Sequence, residues 1–351
     1  MGPRPLAPRA DMVSPAHHKS TPPAVSIIVP CYNEAGTIGG LLQAIGAQTF
    51  PSHNVEVVIA DGQSTDGTRK AIEDFAASRP DLHLTLVDNP NRSIPAALNR
   101  AIAASQSPVV VRLDAHSVPE RTYIERCLET LERTQAANVG GLWEIRPGRD
   151  TWIGRAIAAA AAHPLGAGDA RYRTSGAEGP VDTVPFGAYP REWLDRVGRF
   201  NEDLLTNEDY EYNERIRRLG GVVWFDPAVR STYFARGSLL ALSRQYARYG
   251  FWKARMLLRF PGSLRLRQML PPLFVLSTLG LLISMPFLPI APVVLAVEWG
   301  AYAVVLLSAA LVEGVRRRSA SMLAGFPPAI AAMHLSWGSS FWWGLLTGLL
   351  R

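Results

Sequence analysis

The sequence predicts an α/β protein with a doubly wound, mostly parallel sheet, followed by a C-terminal helical transmembrane region. Three observations predict it. Short Val- and Ile-rich runs alternate with helical segments from residue 24 to about residue 133. Two of those runs stop at an acid, 55–60 before Asp61 and 108–113 before Asp114. Beyond Met269 the chain is dominated by apolar residues. Apolar runs that do not alternate are what strands buried on both faces of a parallel sheet require, and repeated strand–helix alternation gives a doubly wound sheet.

In order, residues 25–29 read as a strand and about 35–48 as a helix. A second strand ends at Ala60, and residues 65–69 supply a turn and the start of a helix that continues through 71–78. Residues 82–87 form a third strand. Ser93 is an N-cap candidate for a helix over 94–104. The strand ending at Leu113 and a helix over about 120–133 complete the series. Residues 138–224 are less regular, rich in Gly and Pro around 166–185. Short strands near 139–143 and 222–225 extend the sheet, and the loop between them has room for an acceptor pocket. A helix over about 209–219 stops at Gly220-Gly221.

Charge divides the chain. The formal net charge is +6, yet after Asp226 only two acids remain, Glu298 and Glu313. Between Arg236 and Arg267 there are eight Lys or Arg and no acid. Basic residues gathered beside an apolar tail favour an anionic membrane surface over nucleic acid. Residues 238–260 read as an amphipathic helix able to lie in a membrane interface. Residues 269–289 and 290–312 are each long enough to cross about 30 Å of hydrocarbon. Residues 321–350 hold one more span, or an interfacial helix and a short span. The basic block and Arg316–Arg318 place the α/β domain on the cytoplasmic side of a multi-pass protein in the plasma (inner) membrane. Glu298 falls inside a span. The expected regions are therefore a disordered arm (1–23), a catalytic domain (24–235), a basic interfacial segment (236–268) and two to three spans (269–351). Cys31 and Cys127 lie far apart with no CxxC spacing, which fits a reducing compartment.

Ligands of open parallel sheets bind outside the carboxyl ends of the strands. Asp61 and Asp114 are thus placed to meet one ligand together, with Asp209 facing it from the other side. That arrangement suits a phosphate-bearing donor held through a metal, and a separate base for an attacking hydroxyl. No intact GxGxxG, Walker element or Ser nucleophile elbow is present, which argues against dinucleotide, ATP and hydrolase chemistry.

The segments Val25-Ser-Ile-Ile-Val-Pro-Cys-Tyr-Asn-Glu34 and Asp61-Gly-Gln-Ser-Thr-Asp-Gly-Thr68 resemble the opening of a family 2 inverting glycosyltransferase with the glycosyltransferase-A fold. Ile94-Pro-Ala-Ala-Leu-Asn99, Val111-Arg-Leu-Asp-Ala-His116, Pro185-Phe-Gly-Ala-Tyr189, Asn207-Glu-Asp-Tyr-Glu211 and Arg236-Gly-Ser-Leu239 extend the likeness to glucosyltransferases of the succinoglycan-biosynthesis type. The resemblance implies nucleotide-sugar binding by Pro30, Tyr32, Glu34, Asp61 and Asp114, with Asp61 accepting from the uracil N–H. The second acid of the family's Asp-Asp-Gly-Ser element is Gly62 here, and Asp66 suits a helix start better than a ligand. Asp114-Ala115-His116 stands at the family's Asp-x-Asp metal motif. Alternate positions of an extended segment share a side, so Asp114 and His116 are candidate ligands of a divalent cation, Mn²⁺ or Mg²⁺, with the imidazole favouring Mn²⁺. His116 can instead hydrogen-bond a phosphate directly.

Glu208-Asp209 matches the family's acidic pair, which makes Asp209 the general base and Glu208 an acceptor-orienting group. Asn207 is expected to cap that helix. Gln245, Arg248 and Tyr249 resemble a Gln-x-x-Arg-Trp element with Tyr in the last place. They imply contact with the acceptor or a diphosphate, and Arg248 equally suits lipid headgroups. The expected activity is inverting transfer of a hexose, glucose from UDP-glucose, to a lipid-linked saccharide in exopolysaccharide or cell-surface glycan assembly. The alternatives are a polyprenyl-phosphate sugar transferase, a processive synthase, and a catalytically silent membrane module that binds nucleotide sugars.

Overall fold

A computed structural model describes residues 23–261 and 265–350. The expected arm, residues 1–23, lies outside the described residues apart from Pro23. The sheet is built from β1 (Val25–Cys31), β2 (Val55–Asp61), β3 (His83–Asp88), β4 (Val109–Arg112), β5 (Val118–Pro119), β6 (Asn138–Pro147), β7 (Gly179–Pro180), β8 (Ala188–Pro190) and β9 (Val223–Ala235). Their order is β3-β2-β1-β4-β8-β6-β9-β5, with β7 also paired to β9. The first four strands are parallel as expected, and β6 runs parallel to β9. The centre departs from a purely parallel plan, because β8 is antiparallel to both β4 and β6. The sheet is therefore mixed.

Helices cover both faces. On one side α1 (Ile38–Gly46), α2 (Thr68–Ser78) and, after α3 (Ile94–Ala104) in the chain, α4 (Tyr123–Thr134) pack Leu41, Leu42, Ile72 and Ile124 onto Ile27, Val29 and Val57. On the other side α3 sets Ala97, Leu98 and Ala101 against Ile28 and Val58. The extents of α3 and its cap follow the sequence closely. Ser93 accepts from the Ala96 N–H and Pro95 sits in the first turn, where its missing N–H costs nothing.

Further along come α5 (Trp152–Ala161), α6 (Pro164–Ala167), α7 (Arg171–Thr174), α8 (Arg191–Val197) and α9 (Glu208–Arg218). β9 is much longer than the expected 222–225, because it continues past Pro227 through a register shift opposite Gly141/Leu142. That shift demands glycine. A Cβ at Gly141 would lie 1.7 Å from the Val229 carbonyl oxygen, which is backbone and cannot yield. Gly141→Ala should therefore cost about 3 kcal/mol and lower the midpoint of a thermal melt measurably.

The C-terminal helices are α10 (Leu239–Arg259), α11 (Leu266–Ser284), α12 (Ala291–Arg316) and α13 (Ser321–Leu349). The apolar face of α10, expected to lie on a lipid surface, is instead covered by α13. Gly250 meets the Trp337 carbonyl, and Gly344 meets the backbone of Phe251. Close backbone approach of this kind is what small residues permit. Arg244 and Arg248 stay exposed on the other face of α10. Met322, Phe326, Ile330 and Met333 of α13 join Ala156 and Ile157 of α5 in a third core, which docks the helices on the sheet domain.

Among the described residues one helix, α12, is long and apolar enough to cross a membrane. Its most apolar window is only 11% buried, unlike a core helix. The expectation of two to three spans, and with it a multi-pass topology, is not supported. The apolar part of α11 is confined to Gln268–Ser284, and α13 carries Pro327, Pro328 and a stripe of residues buried against α10 and α5.

Candidate active site

A cavity of about 840 Å³ opens between the carboxyl rim of the sheet and the C-terminal helices. Asp114, His116, Glu208 and Asp209 form its sheet side, and Phe274, Glu298, Tyr302 and Trp337 its helical side. Asp114 follows β4 by two residues, held in a turn where its carbonyl accepts from Ser117 N (2.9 Å) and Oγ (2.7 Å). Glu208 and Asp209 open α9. Asn207 does not cap it as expected. It takes a left-handed conformation (φ 67°), and its Nδ2 donates to the Tyr249 carbonyl at 3.2 Å, tying α9 to α10.

Arg112, in the buried end of β4, was not singled out by the sequence. Its Nε donates to Asp114 Oδ1 at 3.0 Å and its Nη2 to Glu208 Oε1 at 2.8 Å. A charged residue inside an otherwise apolar strand was the available signal. Burial pushes the Glu208 carboxyl up to about 7 against the opposing charge of Arg112. Asp209 is raised by burial as well, with Arg112 opposing and Asp114 adding to the rise.

His116 turns Nδ1 toward Glu34 Oε1 at 3.1 Å. That hydrogen bond raises the imidazole's pKa, with burial and Arg236 working against it. Burial pushes Glu34 up, but the hydrogen bonds from His116 and Thr37 outweigh it and leave its pKa lowered. A histidine whose one nitrogen faces a carboxylate is oriented to offer the other to a ligand. Asp114 and His116 fit a cation as a two-point anchor. Among the described residues no group of three His, Cys, Asp or Glu side chains is placed to hold a metal, so a cation here needs ligand oxygens to complete its shell.

The three acids do not surround one cavity as expected. Asp61 is fully buried and absent from the cavity wall. Its oxygens accept from Ser64 N (3.1 Å), Ser64 Oγ (2.5 Å) and Arg69 Nη1 (3.2 Å). These local partners occupy three of the about four acceptor sites of the carboxylate that the uracil N–H was expected to use. Pro30 is likewise buried inside β1, paired with Ala60. Neither Pro30, Tyr32 nor Glu34 lines the cavity, and Glu34 reaches it only through His116.

The loops after β1 and β2 are laced together. Asn33 N donates to Ser64 Oγ (2.8 Å), and Asn33 Oδ1 accepts from Thr65 N (2.9 Å). The Tyr32 ring, 42% exposed, lies under the Arg92 guanidinium and over Gly62, where a Cβ would come within 2.9 Å of it. That contact explains the glycine in place of the second acid. Asp66 accepts from Thr68 N (3.1 Å) and Ala35 N (3.1 Å), the helix-start role expected of it.

On α10, Gln245 Nε2 donates to Tyr233 Oη (3.0 Å) and Tyr249 Oη (2.8 Å). Gln245, Arg248 and Tyr249 all line the cavity. Arg173, from the irregular segment, also lines it, bonded to Tyr246 Oη at 3.0 Å and set over Trp143 and Tyr172. Nothing in the sequence marked it.

Residues 26–198 match the family model for glycosyl transferase family 2. The chain is 33% identical over 326 residues to the succinoglycan biosynthesis protein ExoA of Rhizobium meliloti, covering 91% of this chain and 94% of that one. It is 26% identical over 268 residues to the Methanococcus voltae dolichyl N-acetyl-alpha-D-glucosaminyl phosphate 3-beta-D-2,3-diacetamido-2,3-dideoxy-beta-D-glucuronosyltransferase, covering 74% and 81%. The mannosyltransferase PcManGT from Pyrobaculum calidifontis, solved with GDP-Man and Mn²⁺, superposes with a TM-score of 0.60 at 25% identity, covering 90% and 88%. With its mixed sheet, two-sided helical cover and acid-lined cavity, the chain belongs to glycosyl transferase family 2 and is a glycosyltransferase of polysaccharide or glycan biosynthesis.

Proposed function

We propose that this enzyme moves a hexose with inversion, glucose from UDP-glucose, onto a hydroxyl of a lipid-linked saccharide at the cytoplasmic face of the plasma membrane. One observation carries the reading. A single cavity has carboxylates and a histidine on its sheet side and apolar helices, including the candidate span α12, on the other. The uracil would lie against the exposed Tyr32 ring beside Arg92, with Glu34 acting through His116. Asp61 and Pro30 shape the loops beneath and do not touch the ligand.

Asp114 and His116 would hold a divalent cation, which when bound neutralises charge on the leaving nucleotide. The GDP-Man and Mn²⁺ in the structural relative support a nucleotide sugar and such a cation. Asp209 takes the proton of the acceptor hydroxyl as its oxygen attacks the anomeric carbon from behind, and Glu208 orients the acceptor. Arg248 is exposed on the cavity wall and makes no hydrogen bond or ion pair among the described residues. It suits a phosphate of the acceptor, with Gln245 and Tyr249 shaping the wall beside it. Residues 24–235 form the catalytic unit, and α10 to α13 the wall that meets the lipid.

Membranes carrying the protein should transfer labelled glucose from UDP-glucose into the lipid fraction, and Mn²⁺ should stimulate the transfer. Label arriving from GDP-mannose instead would reassign the donor. No label from any nucleotide sugar would overturn the reading.

A further inference from the structure

We propose that Arg112 is a positioning residue that yokes the donor side of the cavity to its acceptor side. The inference rests on the transfer reaction proposed above. Asp114 belongs to the rim of the sheet and Glu208 to the start of α9, so the two acids come from different elements. One guanidinium holds both, through Nε at 3.0 Å and Nη2 at 2.8 Å. A planar fork makes two directed bonds at once, which an ammonium does not.

Burial makes the arrangement obligatory. Arg112 is 3% exposed and Glu208 5%. A buried cation without partners is costly, so each group of the trio stabilises the others. The backbone of Arg112 is fixed too, since its N–H donates to the Gly187 carbonyl at 2.8 Å. Gly187 has a φ of 111° and sits against Asn138 Oδ1 and Tyr189 Oη, with no room for a side chain. The strand end that carries the guanidinium therefore cannot drift.

Asp209 follows Glu208 directly. Fixing Glu208 relative to Asp114 thus fixes the base relative to the donor. A misplacement of about 1 Å between reacting groups can cost about a hundredfold. Arg112 also has an Nη1 that is buried and makes no hydrogen bond among the described residues. Two acids from different elements thus converge on one cation.

The test uses the full-length protein in detergent, with UDP-glucose and the lipid-linked acceptor of its own membranes. Arg112→Lys keeps the charge and removes the fork. It should keep the thermal midpoint and donor affinity close to the parent, lower transfer about a hundredfold and raise the share of donor lost to water. Arg112→Met should lower transfer further. Combined with Glu208→Gln, it should do no more than Arg112→Met alone. A merely structural role would leave the ratio of hydrolysis to transfer unmoved. Arg112→Lys with parental turnover, or effects that multiply in the double variant, would overturn the proposal while leaving the transferase reading intact. A parent that transfers from no nucleotide sugar would overturn both.

Discussion

Asp209→Asn should lower transfer about a thousandfold, with UDP-glucose affinity changed no more than a few-fold. Asparagine has the same outline, so the cavity wall and the start of α9 should survive. What it lacks is a lone pair basic enough to take the acceptor's proton. In the proposed mechanism the donor is held through Asp114 and His116 and not through Asp209, so its binding has little reason to change. The pH dependence provides an independent check. Burial raises Asp209 above an ordinary aspartate, and a base works only when ionised. Parental kcat/KM should therefore fall on acidification from a higher pH than an exposed aspartate would give. Glu208, at about 7, should add an inflection near neutrality. In Asp209→Asn the acid limb belonging to Asp209 should vanish from the residual rate. Single-turnover transfer, with donor affinity measured by titration, separates the two effects. Unchanged turnover would remove Asp209 from the mechanism.

The parts of this site that local sequence encodes were legible. Buried strands announce themselves by runs rich in Val and Ile, so β1, β2 and β4 could be placed, with Asp61 and Asp114 at the ends of the last two. The α3 helix was legible because Ser93 and Pro95 are local signals with local effects. What depended on how a loop folds, or on distant partners, was not legible. Asp61 has an acceptor's chemistry, but Ser64 and Arg69 consume it only once the loop after β2 has folded. Asn207 has a cap's chemistry, but α10 offers it the Tyr249 carbonyl instead. Three residues of β8 give no periodicity from which antiparallel pairing could be read. The helix α10 is amphipathic by sequence, and the sequence does not say whether lipid or protein will cover it. Here α13 does, with Gly250 and Gly344 at the contacts. Arg112 was missed for a related reason. A strand buried on both faces tolerates a cation only when acids from elsewhere come to meet it, and those acids lie beyond the strand.

Asp114→Asn should produce the second large loss. The substitution preserves volume and keeps an oxygen to accept from Arg112 Nε, so the strand end should remain in place. It removes the one formal negative charge that the two-point anchor offers a cation, leaving only the His116 imidazole. Charge stabilisation of this kind amounts to several kcal/mol, or about a thousandfold in kcat/KM for the donor. The Mn²⁺ concentration needed for half-maximal transfer should rise at least about tenfold. His116→Ala should shift that midpoint less, since the carboxylate supplies the charge and the imidazole only a neutral donor. A chelator applied to the parent should reproduce the Asp114→Asn loss, and excess Mn²⁺ should reverse it. The comparison separates two roles for Asp114. If it served only to hold Arg112, Asn would restore activity and the Mn²⁺ midpoint would not move. If it holds the cation, Asn fails and the midpoint shifts. Equal transfer by the parent in chelator and in Mn²⁺ would exclude the cation at Asp114 and His116 and return the imidazole to direct contact with phosphate.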